Sequence, residues 1–141
     1  MKKLKAKSGF TFIEMLVTVT IIAVLTTIGT TSFRVANQKA RDGRRQGDLQ
    51  QVRAALELYR TDQDVYPTTA QFPDAGESLA AGGVTYLGEM PGDPLEGNSY
   101  VYSSDGSTYI LAAYLELAKS DDSAVAGCSE AGCNYEVSSP L

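Results

Sequence analysis

The sequence predicts an α+β chain in which one long N-terminal helix, a membrane-spanning half followed by an amphipathic half, packs on a small antiparallel β-sheet. Three observations lead there. From Phe10 to Phe33 the only ionisable side chain is Glu14. Leu49, Val52, Leu56 and Tyr59 then recur at helical spacing, with Ala55 on the same face, in a stretch free of proline. After Pro67 the chain is punctuated by glycine and proline, and its short tyrosine- and valine-rich runs read as strands. At 141 residues the chain suits one domain plus an appendage.

The apolar run covers 24 residues, or ~36 Å of helix at ~1.5 Å per residue, enough to cross a ~30 Å hydrocarbon layer. A buried core helix fits it poorly, because the whole circumference is apolar or threonine and not one stripe. Lys2, Lys3, Lys5 and Lys7 precede the run, which keeps that end cytoplasmic and sends the C-terminal part outward. A secretory signal would show a shorter apolar region followed by a small-residue cleavage site. Here the run is longer, and the candidate processing site, Gly9-Phe10, lies ahead of it. Glycine there lets a peptidase bring its backbone close to the scissile bond. Glu14 is the anomaly: a carboxylate in hydrocarbon costs roughly 2.5 kcal/mol or more, so a partner for it is expected.

Lys7-Ser8-Gly9-Phe10-Thr11-Phe12-Ile13-Glu14, behind a short basic leader and ahead of an apolar helix, resembles the class III signal of type IV pilins and type II secretion pseudopilins. The resemblance implies a pilin-like fold and processing by a prepilin peptidase, which would cut between Gly9 and Phe10 and methylate the new amine of Phe10. It also implies a partner for Glu14, the positively charged N-terminus of a neighbouring subunit, met during filament assembly. On this reading residues 1–9 are a cleaved leader, 10–33 a transmembrane and assembly helix, 34–64 its amphipathic half and 65–141 a loop-rich β head.

The amphipathic half is expected to end near Asp62–Asp64, before the extended Val65-Tyr66-Pro67. Its Leu/Val/Tyr stripe reads as a core face against a sheet. Gly43 and Gly47 each weaken the helix by roughly 1 kcal/mol relative to alanine; lying four apart, they fit either close helix approach or tolerated local flexibility. Charge is divided along the chain. Residues 34–53 hold six cations against two carboxylates, net +4, whereas residues 54–141 hold two against fourteen, net −12. The basic stretch has no interleaved aromatics, so pairing between subunits or a solvated face is expected of it, and nucleic-acid binding is not favoured. ARDGRRQGDLQQVRAALELYRTDQDVYP, from Ala40 to Pro67, resembles the corresponding pattern of major pseudopilins, with Asp64 standing where that pattern has glycine.

In the head, Tyr100-Val-Tyr-Ser and Thr108-Tyr-Ile-Leu-Ala-Ala-Tyr-Leu-Glu read as strands joined at Ser104-Asp-Gly-Ser, and Tyr135-Glu-Val as a third. A short apolar or helical piece is expected around Ser78–Ala81. YLGEMPGDPLEGNSYVYSS resembles the pseudopilin loop that leads into the first hairpin. Cys128 and Cys133 are the only cysteines; on an oxidising, extracytoplasmic side they read as a disulfide worth ~2 kcal/mol. A zinc site would need two further ligands in a chain without histidine. The resemblance implies calcium in a loop after the sheet, where Asp121 and Asp122 offer oxygen ligands. The family's glycine-containing loop is not reproduced there, and a solvated acidic turn is the alternative.

Nothing in the sequence sets a base beside a nucleophile. There is no histidine, no P-loop and no G-x-S-x-G, so no enzyme and no bound cofactor other than calcium is expected. The function expected is that of a structural subunit of a type IV pilus-like filament. The alternatives are the major pseudopilin of a type II secretion system and, in another class, a membrane-anchored module that binds DNA or a surface ligand. The partners implied are further copies of the chain, a prepilin peptidase, pilus or type II secretion assembly machinery, and lipid before assembly. The precursor would sit in the inner membrane with its head outside, and later in an extracellular pilus or a periplasmic pseudopilus.

Overall fold

The computed structural model describes residues 9–117, 128 and 132–140. Helix α1 spans Phe12–Gln63, 52 residues, and ends where the sequence places its end. The chain divides into two compact units, residues 1–37 and 38–141.

In the first unit every described side chain is exposed, Phe12 and Ile13 among them. The helix is apolar all round and still leaves few polar groups unmet. The hydroxyls of Thr18, Thr20, Thr26 and Thr27 donate to backbone carbonyls three or four residues earlier, at 2.8–3.1 Å. Threonine folded back in this way presents its methyl outward, which suits a helix surrounded by hydrocarbon.

In the second unit the amphipathic half of α1 forms one wall of the core. Leu49, Val52, Ala55, Leu56 and Tyr59 are buried, as their spacing predicts. Burying each of the large aliphatic ones is worth about 1.5–3 kcal/mol, an upper bound for a chain that unfolds to a partly compact state. Opposite them stand two small sheets, not one. Strands β1 (Leu79–Ala81) and β2 (Val84–Leu87) form a two-stranded antiparallel ribbon. Strands β3 (Val101–Ser104), β4 (Tyr109–Ala113) and β5 (Tyr135–Ser138) form an antiparallel sheet in the order β3-β4-β5. Tyr102, Leu111 and Val137 turn inward from that sheet onto the helix face.

Three sequence expectations change here. The piece at Ser78–Ala81 is strand, not helix, because Gly82 and Gly83 both adopt positive φ and turn the chain back into β2. Two consecutive residues of that kind make the tight turn that matches strand twist, and only glycine takes it freely. That ribbon adds a second, two-stranded sheet to the expected antiparallel one. Strand β4 stops at Ala113, short of the expected Glu116, because Asn134 captures the next backbone groups: its side chain accepts from the Leu115 amide at 2.6 Å and donates to the Leu115 carbonyl at 2.8 Å. The β3–β4 turn forms as expected, with the Asp105 carboxylate accepting from the amides of Ser107 and Thr108.

Beyond α1 the chain reverses and docks its Tyr-Pro segment. Tyr66 is buried, packs edge-on against Tyr109 at 4.7 Å between centroids, and donates to Glu57, as Tyr109 also does. Tyr102 donates to the Pro67 carbonyl at 2.7 Å. The reversal turns on Asp64, whose φ of 63° lies in the left-handed region while its amide bonds the Arg60 carbonyl. Glycine takes that helix-terminating conformation without cost, whereas aspartate tolerates it at some expense. Asp64→Gly is therefore expected to stabilise the head by about 0.5–1 kcal/mol, read as a rise in melting temperature. An unchanged or lower midpoint would show that the Asp64 side chain has a compensating role.

Candidate functional site

The apolar end of α1 carries the residues that the sequence singles out. Phe10 is exposed, and Glu14 sits in the first helical turn. Sequence reasoning misses that Glu14 has a partner within its own chain. The Thr11 hydroxyl accepts from the Glu14 amide, and the Glu14 carboxylate accepts from the Thr11 amide, each at 3.4 Å. This is a capping box, legible as T-x-x-E, and it places the carboxylate at the positive end of the helix dipole. At 3.4 Å the bonds are long for a charged acceptor, so the carboxylate keeps most of its capacity for a stronger donor. Gly9 has open space around it: an added Cβ would meet no atom within 4 Å. Among the described residues, nothing in the fold demands glycine at this position.

A second constellation anchors the head. Arg45, with no exposed surface, is held by three carboxylates. Its Nε and Nη2 reach both oxygens of Asp93 at 2.7 and 2.9 Å, while Nη1 reaches Asp42 at 2.8 Å and Glu116 at 3.0 Å. Arg41 forks onto Glu116 with two bonds of 2.7 Å. Asp42 accepts in addition from the consecutive amides of Glu116 and Leu117, both at 2.9 Å. The first turns of the head-bearing helix thus hold the loop before β3 and the exit from β4. Among the described residues no buried side-chain nitrogen or oxygen lacks a partner. The hydrogen bonds from Arg41, with those from Arg45, pull the Glu116 carboxyl down to about 2 despite its burial.

The reading of residues 34–53 as facing neighbours or solvent is corrected for Arg41 and Arg45. Apart from Asp42, three residues before Arg45, their partners Asp93 and Glu116 lie 48 to 75 residues away in sequence, so only the folded head brings those together. A signal was nonetheless present: the apolar stripe of Leu49 and Val52, extended one turn back, lands on Arg45. Arg34, Lys39 and Arg44 remain on exposed positions. Gly43 and Gly47 also lie exposed, with no neighbour within 4 Å of an added Cβ.

Cys128 and Cys133 form the expected disulfide, with Cα atoms 5.1 Å apart. It packs with Ala112 on β4 and immediately precedes β5, while the Cys128 carbonyl accepts from the Ser99 amide. Asp121 and Asp122 lie outside the described residues. Among the described residues, the carboxylates of Asp42, Asp93 and Glu116 are occupied by arginine and amide donors.

With this geometry in view, two family models meet on the chain. Residues 4–30 match the prokaryotic N-terminal methylation motif, and residues 34–114 match type II secretion system protein G. The chain belongs to the type II secretion system protein G family. The first match covers Gly9, Phe10 and Glu14; the second covers α1 from its basic stretch through β4, including Arg45 and Asp93. Among its relatives is the type II secretion system core protein G of Vibrio cholerae, 32% identical over 115 residues, which are 75% of this chain and 77% of that protein. The proteins of the same name from Pseudomonas aeruginosa and Aeromonas hydrophila are 31% and 30% identical, over 73% and 72% of this chain and 78% and 76% of theirs. No solved structure matches the chain.

The carboxylate cluster gives the head a defined acid response. A group whose folded pKa is depressed contributes stability above its unfolded pKa and loses it as pH falls through the folded value. Glu116 should therefore stabilise fully above about pH 4.5 and lose its contribution on the way down to about 2. The melting temperature of full-length protein in detergent is expected to fall across that window. Arg41→Ala, which removes the main cause of the shift, should flatten the slope. An identical acid slope in the variant would refute the assignment.

Proposed function

We propose that this chain is the major pseudopilin of a type II secretion system: a structural, non-catalytic subunit that is cleaved after Gly9, methylated on Phe10 and packed helix to helix into a periplasmic filament. The observation that carries the reading is the succession in one chain of the methylation motif over residues 4–30 and the protein G family match over residues 34–114. A type IV pilus subunit would share the manner of assembly, but the second match favours secretion. The open surroundings of Gly9 support a requirement set by a peptidase and not by folding. The precursor would be anchored in the inner membrane by the apolar half of α1, the one described helix long and apolar enough to cross a bilayer.

In this reading Glu14 exchanges its long bonds to Thr11 for the methylated amine of a neighbouring Phe10. Two opposite charges attract strongly where the dielectric is low, and either one left alone there is costly. The pair would set the axial offset of each entering subunit.

Two measurements test the proposal. Mass spectrometry of the protein from its native host should give a chain that begins at Phe10 and carries one added methyl; a chain still beginning at Met1 would sink it. Separately, Glu14→Ala should leave membrane insertion and cleavage intact while fibre yield drops at least tenfold relative to membrane-bound mature subunit. Ordinary fibres at wild-type yield from that variant would show that the carboxylate is not the assembly contact.

A further inference from the structure

The segments 72–76 and 90–99 of the head face each other across a cleft of about 770 Å³. Its floor is apolar, made by Val52 of α1 with Phe72, Met90, Tyr102 and Leu111. Phe72 lies stacked on Tyr102, their ring centroids 3.9 Å apart. The two walls are tied at one end, where the Gly76 amide bonds the Met90 carbonyl at 2.8 Å and the Met90 amide bonds the Glu77 carbonyl at 2.7 Å. The cleft therefore has a fixed width and a stacked aromatic floor.

Its charge is one-sided. Asp74, Asp93 and Glu96 line it, and no lysine or arginine does. Arg45 already occupies Asp93, which leaves Asp74 and Glu96, both exposed, without an ion pair among the described residues. An occupant must bring apolar surface for the floor and positive charge for the rim.

We propose that the cleft receives the basic stretch of α1, residues 34–44, from a second copy of the chain. The inference rests on the filament reading and names a contact within it. The chain's own composition selects the segment. The head, residues 65–141, holds one cation, Lys119, against eleven carboxylates, so docking one head into another would set carboxylate mostly against carboxylate. The exposed cations lie on α1: Arg34, Lys39, Arg44 and Arg60, of which Arg60 is already held by the Tyr66 hydroxyl at 3.0 Å. Arg44 has only a 3.7 Å contact with Asp48 and a side chain 63% exposed, a pairing weak enough to yield to a better one. Phe33 and Val35, 67% and 53% exposed beside Arg34, supply the apolar surface.

The test uses full-length protein in cells that carry the assembly machinery. Asp74→Lys combined with Glu96→Lys alters only exposed positions, so the melting temperature should hold while fibre yield falls about tenfold. Adding Arg34→Glu, Lys39→Glu and Arg44→Glu to that chain should restore part of the yield. In parallel, a photo-crosslinker placed at Glu96 should join to residues 33–44 of another copy. Wild-type fibre yield from the double lysine variant would overturn the contact while leaving the filament reading intact, and so would a crosslink that lands within residues 61–117 or on a different protein. No fibre from the unmodified chain would overturn both.

Discussion

The head has no core of its own without α1. Its strands are short, three in one sheet and two in the other, and a two-stranded ribbon is marginal in water by itself. Leu79, Tyr102, Leu111 and Val137 need an opposing apolar surface, and Leu49, Val52, Leu56 and Tyr59 supply it. Everything in the second unit follows from that seating. Yet an apolar stripe specifies position loosely, since a helix can slide by a turn and still present leucine. The bidentate bonds between Arg45 and Asp93 remove that freedom. A buried ion pair of this kind is weak as a source of net stability; its contribution here is to fix how far along and about its axis the helix sits against the head.

How much of this was legible in the sequence depended on whether the signal was local. Helix α1 was, because its apolar run and its later stripe are periodic over many residues, and Asp62–Asp64 marked its end closely. The β3–β4 hairpin and β5 were, because turn residues and alternation sit side by side. The β1–β2 ribbon was missed although Gly82-Gly83 is a hairpin signal; its strands have three and four residues, too few for a period to show. At the N-terminal end Gly9, Phe10 and Glu14 form a compact motif, and the T-x-x-E of the Thr11–Glu14 box overlaps it, its capping role masked by the charge of Glu14. The Arg45 cluster was hidden for a physical reason: its partners meet only once the fold has formed.

Two surroundings are written into one helix. The residues before Phe33 satisfy their few hydroxyls against their own backbone and present carbon outward. Those after it divide between a core face and an outward face where charge and glycine alternate. The methylation motif covers the first pattern and the protein G match the second, and each suits one solvent: lipid for the first, water and protein for the second.

The clamp around Arg45 also makes the head asymmetric toward acid and base. Its cations are guanidinium groups, which do not deprotonate in any accessible range, and the hydrogen bonds Arg45 donates to Asp93 and Glu116 hold its proton more firmly still. The buried phenols of Tyr102 and Tyr109 are shifted upward as well. Desolvation, with the nearby Glu57 carboxylate, pushes Tyr109 well above the usual phenol range, and desolvation carries Tyr102 to about 12. Lysine, the cation that would titrate first, is missing from the described head. The head is fastened by arginine and tyrosine, groups that titrate on the alkaline side, while the Glu116 carboxyl that Arg41 and Arg45 hold titrates on the acidic one.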